Sequence, residues 1–253
     1  MSEKFGRIAV VTGATSGIGE AVVRLFAASG FGVVGCGRSK EKISSLQREL
    51  GEAFAGVSGD ASEEEVIERL FSRAEERFGR EADLVVVNAG RGLKGSVSTA
   101  DLSELQEVFN INVKGALMLM QQASRRLVAL QEGRFPGKSA DIVVIGSVVG
   151  RHVIPLSTVY ASTKFALHSL AEGLRREIGP KGVRVSLVEP GIVMSGFQDA
   201  AGYSPELVQS FKDKFGLLLL GEDVARAVWA IVSQPPHVHF SDIMVRPVGQ
   251  DYP

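Results

Sequence analysis

In the stretch "TVYASTKFALHSL", which begins at Thr158, Tyr160 and Lys164 stand four residues apart. The run has helical period, so the two side chains share one face and can enter the same cleft. A phenol with its ordinary pKa of about 10 serves poorly as a base near neutrality. A lysine one turn away favours the phenolate, and a shift of about three units requires roughly 4 kcal/mol of differential interaction. The same spacing also occurs as an exposed pair on ordinary helices. The pair therefore takes its meaning from what the rest of the chain places around it.

A second group of residues lies near the start. "TGATSGIG" sets Gly13, Gly17 and Gly19 at the end of a strand-like run, with a helical pattern opening at once. Glycines in that position let the backbone turn sharply and approach a pyrophosphate, whose charge meets the amides and dipole of the helix N-terminus. Thr15, Ser16 and Ile18 belong to the same turn and are candidate cofactor contacts. The next strand-like run ends "GCGRSK" with no acid, so nothing stands ready for a free ribose 2′-hydroxyl. Arg38, followed by Ser39, can clamp a 2′-phosphate bidentately, and the expected cofactor is NADP(H). The alternative for Arg38 is a solvated charge opening a helix.

These residues need a frame. Short β-branched runs start at Arg7, Phe31, Ala53, Asp83, Asp141 and Val183, and longer segments of helical period separate them. The runs are apolar on both faces, as in a parallel sheet covered by helices on each side. The fold class expected is α/β, a doubly wound parallel sheet of the Rossmann type. Punctuation agrees: Ser62 precedes three glutamates in a first turn, while Gly30 and Gly179 follow helical runs and Pro180 bars continuation. "EGRFPGKSA" reads as an exposed loop. With 253 residues and 45% hydrophobic content, the whole chain, 1–253, reads as one domain, with a helical substrate loop at about 192–220 inside it.

Bulk properties exclude other classes. A formal net charge of −1 gives no electrostatic reason to expect nucleic acid or an anionic membrane as partner. Cys36 is the single cysteine, and no Cys/His cluster has zinc spacing, so no disulfide or metal is expected. The N-terminus lacks the pattern of a signal peptide and no apolar run reaches spanning length, so the expectation is a soluble, cytoplasmic protein.

Taken together the motifs resemble the short-chain dehydrogenase/reductase family over nearly the whole chain. The likeness rests on "TGATSGIG", "NAG" at Asn88 to Gly90, "NVKG" from Asn112, "GS" at Gly146 and Ser147, "YASTK" from Tyr160 and "PGIVMS" from Pro190, in the family order. Two departures stand out: "VNAG" replaces "NNAG", and Ser195 replaces the threonine after "PG" while keeping its hydroxyl. The resemblance implies that Tyr160 is the general acid/base and that Lys164 also binds the ribose hydroxyls. It further implies that Ser147 hydrogen-bonds the substrate oxygen and that Asn112 holds a water against Lys164. The blander alternatives are that Ser147 ends a strand and Asn112 satisfies a buried backbone group. By position, Asp60, Ala61, Asn88, Ala89, Gly90, Pro190, Gly191, Ile192, Val193 and Ser195 would contact the cofactor. A homo-oligomer, tetramer or dimer, is implied as well. The tail from Gly221 looks like the serine and 3-hydroxy acid dehydrogenase branch, a scaffold likeness that does not reach the pocket.

The function expected is an NADP(H)-dependent oxidoreductase interconverting a secondary alcohol and a ketone or aldehyde carbonyl by hydride transfer, with Tyr160 as general acid/base. Phe197, Tyr203, Phe211 and Phe215 either line an apolar substrate pocket or are simply buried, and His152 and Ser157 flank the Tyr160 segment. The alternatives are a serine or 3-hydroxy acid dehydrogenase, tempered by the lack of an obvious cation for a carboxylate, and a non-catalytic NADP(H) sensor or scaffold.

Overall fold

Runs of valine and isoleucine buried on both faces must pair laterally and be covered from both sides, and the chain does this. The structure, a computed structural model, describes residues 4–253. The first half alternates β1 (Ile8–Thr12), α1 (Gly17–Ala28), β2 (Gly32–Gly37), α2 (Lys40–Leu50), β3 (Phe54–Ser58), α3 (Glu64–Phe78) and β4 (Leu84–Val87). Then come α4 (Leu105–Phe109), a π turn (Asn110–Gly115), α5 (Ala116–Gln131), β5 (Asp141–Ile145), α6 (Thr158–Ile178) and β6 (Arg184–Pro190). The chain ends with β7 (Val193–Met194), α7 (Phe197–Ala200), α8 (Pro205–Phe215), β8 (Leu219–Leu220), α9 (Gly221–Val232) and β9 (Asp242–Val245).

Seven strands form one parallel sheet in the order β3-β2-β1-β4-β5-β6-β9, a single Rossmann-like domain. Alternate residues of each strand feed opposite cores. Val10, Val34 and Val144 pack with Phe71, Leu119 and Leu167 of α3, α5 and α6. Val11, Val33 and Val143 pack with Phe26, Leu46 and Val228 of α1, α2 and α9. Fully buried side chains of this size contribute about 1.5–3 kcal/mol each. After β3 the chain crosses back to lay β4 beside β1, which opens a crevice at the carboxyl ends of the strands.

The opposite, amino-terminal end of the sheet is locked by charge. Arg7 bonds Asp83 and Asp141 at 2.7 Å each, and Arg184 grips Asp141 at 2.6 and 3.0 Å. The remaining guanidinium protons go to main-chain carbonyls, among them Asp83 and Val238, so the buried charges are paired and satisfied. Cys36 is buried in β2, where burial pushes its thiol up to about 12, too high for a nucleophile.

Several sequence expectations need correction. β9, with Ile243 and Val245 as its β-branched residues, lies in the tail outside the six strand-like runs counted from sequence. Glu63, not Ser62, takes the cap position of α3, while the Ser62 N–H bonds the Asp60 carboxylate at 2.8 Å. Gly179 has φ −55 and passes α6 into a 3-10 turn with Pro180 at its start; the left-handed stop is Gly182, at φ +84. The long helical segment between the runs that start at Asp83 and Asp141 is broken at Asn110–Gly115 by the π turn that separates α4 from α5. "EGRFPGKSA" is an exposed loop, with Phe135 half exposed. Among the described residues no helix is long and apolar enough to cross a membrane, and no cluster of three His, Cys, Asp or Glu side chains is placed to hold a metal.

Candidate active site

The glycine turn leaves β1 through two left-handed residues, Gly13 at φ +68 and Gly17 at φ +55, a conformation that a side chain strains. Gly19 serves another purpose. A Cβ there would sit 2.1 Å from the Gly13 carbonyl oxygen and 2.5 Å from Asn88 Nδ2, so α1 and the turn touch backbone to backbone. Asn88 Nδ2 donates to the Thr12 carbonyl at 2.8 Å, and the Thr12 hydroxyl accepts the Asn88 and Ala89 N–H groups at 3.1 Å. The ends of β1 and β4 are thereby clamped together. Ser16 caps α1 without a side-chain bond, which leaves the first-turn amides free for an anion. This cradle fits a dinucleotide pyrophosphate.

A cleft of about 630 Å³ runs from this turn across the ends of β4, β5 and β6. Gly13, Ser16, Gly17, Ile18 and Arg38 line its first part, and Asn88, Ala89 and Gly90 follow. Pro190, Gly191, Ile192, Val193 and Ser195 form the wall beyond β6. Arg38 is largely exposed, and its nearest acid is Glu107, at 3.4 Å. Six residues proposed from sequence do not line the cleft. Thr15 packs on Gly37, and Gly19 supports the turn from behind. Ser39 spends its hydroxyl at the cap of α2, accepting from the Lys42 N–H and donating to Glu41. Asp60 holds the turn before α3, and Ala61 is buried against Gly115. The sixth, Asn112, lies in the π turn and is 1% exposed. Its Oδ1 accepts the Arg91 N–H at 2.9 Å; its Nδ2 donates to the Arg91 carbonyl at 2.9 Å and the Thr163 hydroxyl at 3.0 Å. That side chain braces the loop after β4 against α6, while Lys164 bonds the Ile145 carbonyl instead.

Tyr160, Lys164 and Ser147 do converge on the cleft. Lys164 Nζ donates to the Ile145 carbonyl at 3.0 Å and lies 5.8 Å from the centre of the Tyr160 ring. Burial lowers its pKa to about 8. Burial also raises the Tyr160 phenol above its ordinary value; the neighbouring Tyr203 adds to this, and a hydrogen bond with Ser147 opposes it. Lys164 alone does not overcome the desolvation of a phenolate, so near neutrality Tyr160 carries its proton. The Ser147 hydroxyl accepts the Val149 N–H at 3.3 Å and donates to the Pro190 carbonyl at 3.5 Å.

Beyond Tyr160 the cleft turns apolar. Phe197 lies tilted against the Tyr160 ring, 5.5 Å between centroids, and Tyr203, Phe211 and Phe215 form a ladder at 6.2 and 6.4 Å. All four aromatics and Ser157 line the cleft, whereas His152 sits outside it against Tyr252. Three residues escaped the sequence reading. Gln250, 4% exposed, receives the Ile192 N–H at 2.9 Å and fixes the tail against the cofactor wall. Glu189 is a fully buried acid inside an apolar strand, which was a visible signal. His168 lies one turn after Lys164, a spacing that could have found it.

A parallel sheet with a pyrophosphate-sized glycine cradle at its carboxyl edge, beside the buried Tyr160 and Lys164 and the half-buried Ser147, is the arrangement of a nucleotide-binding fold. The profile for short chain dehydrogenase matches residues 7–203, and the chain belongs to that family. An uncharacterized oxidoreductase of Staphylococcus aureus strain MW2 is 34% identical over 243 residues, covering 96% of this chain and 97% of that one. Among solved structures, the closed form of serine dehydrogenase complexed with NADP+ matches with a TM-score of 0.88 and 27% identity, over 97% of this chain and 96% of that one. The 3-ketoacyl-(acyl-carrier-protein) reductase from Brucella melitensis, complexed with NADH, matches with a TM-score of 0.86 and 25% identity, over 96% and 98%. The protein is an oxidoreductase of the short-chain family, and its structural neighbours include NADP- and NAD-bound chains.

Proposed function

We propose that the protein is an NADP(H)-dependent oxidoreductase that interconverts an alcohol and the corresponding ketone or aldehyde. The observation that carries this reading is the convergence of Ser147, Tyr160 and Lys164 on the same cleft as the glycine turn. When bound, the dinucleotide supplies or takes the hydride. The protein's own groups do the rest. Ser147 offers its hydroxyl to the substrate oxygen, Tyr160 gives or takes the proton at that oxygen, and Lys164 holds a ribose and stabilises developing phenolate. Because burial keeps the phenol protonated, the resting state suits carbonyl reduction. The Asn112 side chain is spent on Arg91 and Thr163, so a water held against Lys164 would have to share those bonds.

Arg38 at the cleft wall, with no acid at the end of β2, supports NADP(H) over NAD(H). The aromatic lining supports an uncharged, apolar carbonyl. Arg91 pairs with Glu104 and Glu107, and Lys164 is bonded to a carbonyl. A serine or 3-hydroxy acid substrate is favoured by the likeness to serine dehydrogenase. Its carboxylate would have to take Lys214 at the cleft mouth from Asp251, 3.4 Å away. The segment 192–220 acts as a substrate lid. Exposed Phe109, Leu117 and Phe165 on α4, α5 and α6 support a homo-oligomer, dimer or tetramer, and the lone buried cysteine suits the cytoplasm. The test is a panel of ketones, aldehydes, alcohols and hydroxy acids with both nicotinamide cofactors. Turnover of an apolar carbonyl with NADPH is expected. Tight NADPH binding with no turnover of any member would instead establish a sensor.

A further inference from the structure

The floor beneath Ser147 is an imidazole. His168 rises from α6 one turn after Lys164 and two turns after Tyr160, so the three side chains form one stripe. Its Nε2 accepts the main-chain N–H of Ser147 at 3.3 Å. Glycines make that approach possible: a Cβ on Gly146 would lie 2.3 Å from Nε2, and one on Gly150 would lie 2.3 Å from Cε1. On the far side of the ring, Nδ1 stands 3.8 Å from Oε2 of Glu189, a carboxylate 1% exposed. Arg151 grips Glu189 with two bonds of 2.5 and 2.7 Å, and reaches Asp242 on β9 at 2.9 Å. The loop from Ser147 to Arg151 is thus anchored at its first residue by His168 and at its last by Glu189.

We propose that His168 is a positioning residue for the oxidoreductase reaction: its unprotonated Nε2 holds the Ser147 main-chain N–H and so aims the Ser147 hydroxyl at the substrate oxygen, while Glu189 keeps the ring proton on Nδ1. The role rests on the oxidoreductase reading of the site. His168 does not line the cleft, so it acts through Ser147 and does not touch substrate. Since Nε2 accepts, the proton must be on Nδ1, and the facing carboxylate favours that tautomer. The charged groups around the ring are Lys164, Arg151, Glu189 and Asp242. Burial, followed by the charges of Lys164 and Arg151, lowers its pKa to about 4, so the acceptor persists across the neutral range.

The test uses His168→Leu, which keeps much of the volume and removes the acceptor, and His168→Gln, which restores an acceptor. With the best carbonyl from the panel, His168→Leu should lower kcat about tenfold, the scale of one aligned hydrogen bond, with the Kd for NADPH within about twofold of wild type. His168→Gln should recover most of the loss. In a Ser147→Ala background the His168→Leu penalty should vanish, because residues acting through one group are not additive. An equal penalty in both backgrounds, a loss that simply follows the thermal midpoint, or an unchanged kcat overturns the proposal. Nitrogen-15 spectra of the full-length protein give a reading independent of turnover. A neutral Nδ1–H ring at pH 6, with the Ser147 amide signal moved by His168→Leu, is expected; an Nε2–H or charged ring overturns the contact. Wild-type protein that turns over no carbonyl refutes the oxidoreductase reading, and the spectra still decide the His168 contact.

Discussion

Gly19→Ala asks for room that the cofactor cradle does not have. The added Cβ would lie 2.1 Å from the Gly13 oxygen and 2.8 Å from its carbon, where ordinary contact begins at 3.4 Å. The obstacle is main chain, so relief requires a shift of about 1 Å in the turn itself. Asn88 Nδ2, 2.5 Å from the new atom, cannot yield without loosening its 2.8 Å bond to Thr12. Overpacking of this kind costs about 1–3 kcal/mol, and the weakened hydrogen bond about 1 more. The total, roughly 2–4 kcal/mol, falls on the residues that must meet the pyrophosphate, so the Kd for NADPH should rise at least about tenfold. Fluorescence titration of NADPH, run alongside a thermal melt, measures both parts. The control is Gly173→Ala in α6, where nothing lies within 4 Å of the new atom. There, helix propensity alone should stabilise by about 0.5–1 kcal/mol and leave NADPH affinity untouched. Gly19→Ala protein with wild-type affinity and melting temperature would refute the argument.

Asp141→Asn removes the charge shared by Arg7 and Arg184 at the far end of the sheet. Urea unfolding should report a loss of about 3–5 kcal/mol, with kcat of the folded protein unchanged; a wild-type midpoint counts against the charge lock. Arg38→Asp should weaken NADPH binding about tenfold or more while sparing NADH, and an unaltered preference would remove the 2′-phosphate role from this position. The depressed pKa of His168 sets a pH dependence of stability. Between its unfolded value of about 6.5 and its folded value of about 4, the unfolded chain binds more protons, so stability falls as pH drops through that window. Relative to His168→Gln, the wild type should lose up to about 3 kcal/mol from pH 7 to pH 4 in denaturant titrations. A constant gap between the two proteins would contradict the burial argument.

The central strands were legible because a parallel sheet buries both faces, and runs such as "RIAVVT" and "DIVVIG" have no polar side to confuse the period. β9 was not: it is a partly exposed edge strand of four residues, and "DIMV" is too short to show a period. Tyr160, Lys164 and Ser147 could be found because fixed helical and loop spacing carries them to one place. Asn112 was found by position, but its partners were not, because the π turn that directs its side chain toward Arg91 leaves no local signature. Gly179 misled because a helix can tighten into a 3-10 turn through Pro180 before stopping at Gly182. His168 was hidden for a different reason. Its partner is a main-chain N–H, and only the fold brings Gly146 and Gly150 close enough to make room for a ring.

Tyr160→Phe takes one hydroxyl from a side chain that is 8% exposed and otherwise keeps its packing against Phe197. Single-turnover and steady-state reduction of the best carbonyl by NADPH should slow by about 10²–10⁴-fold, the usual worth of a positioned acid, with the Kd for NADPH within about twofold of wild type. Carbonyl reduction that proceeds at the wild-type rate in Tyr160→Phe would contradict the assignment of Tyr160 as the proton donor.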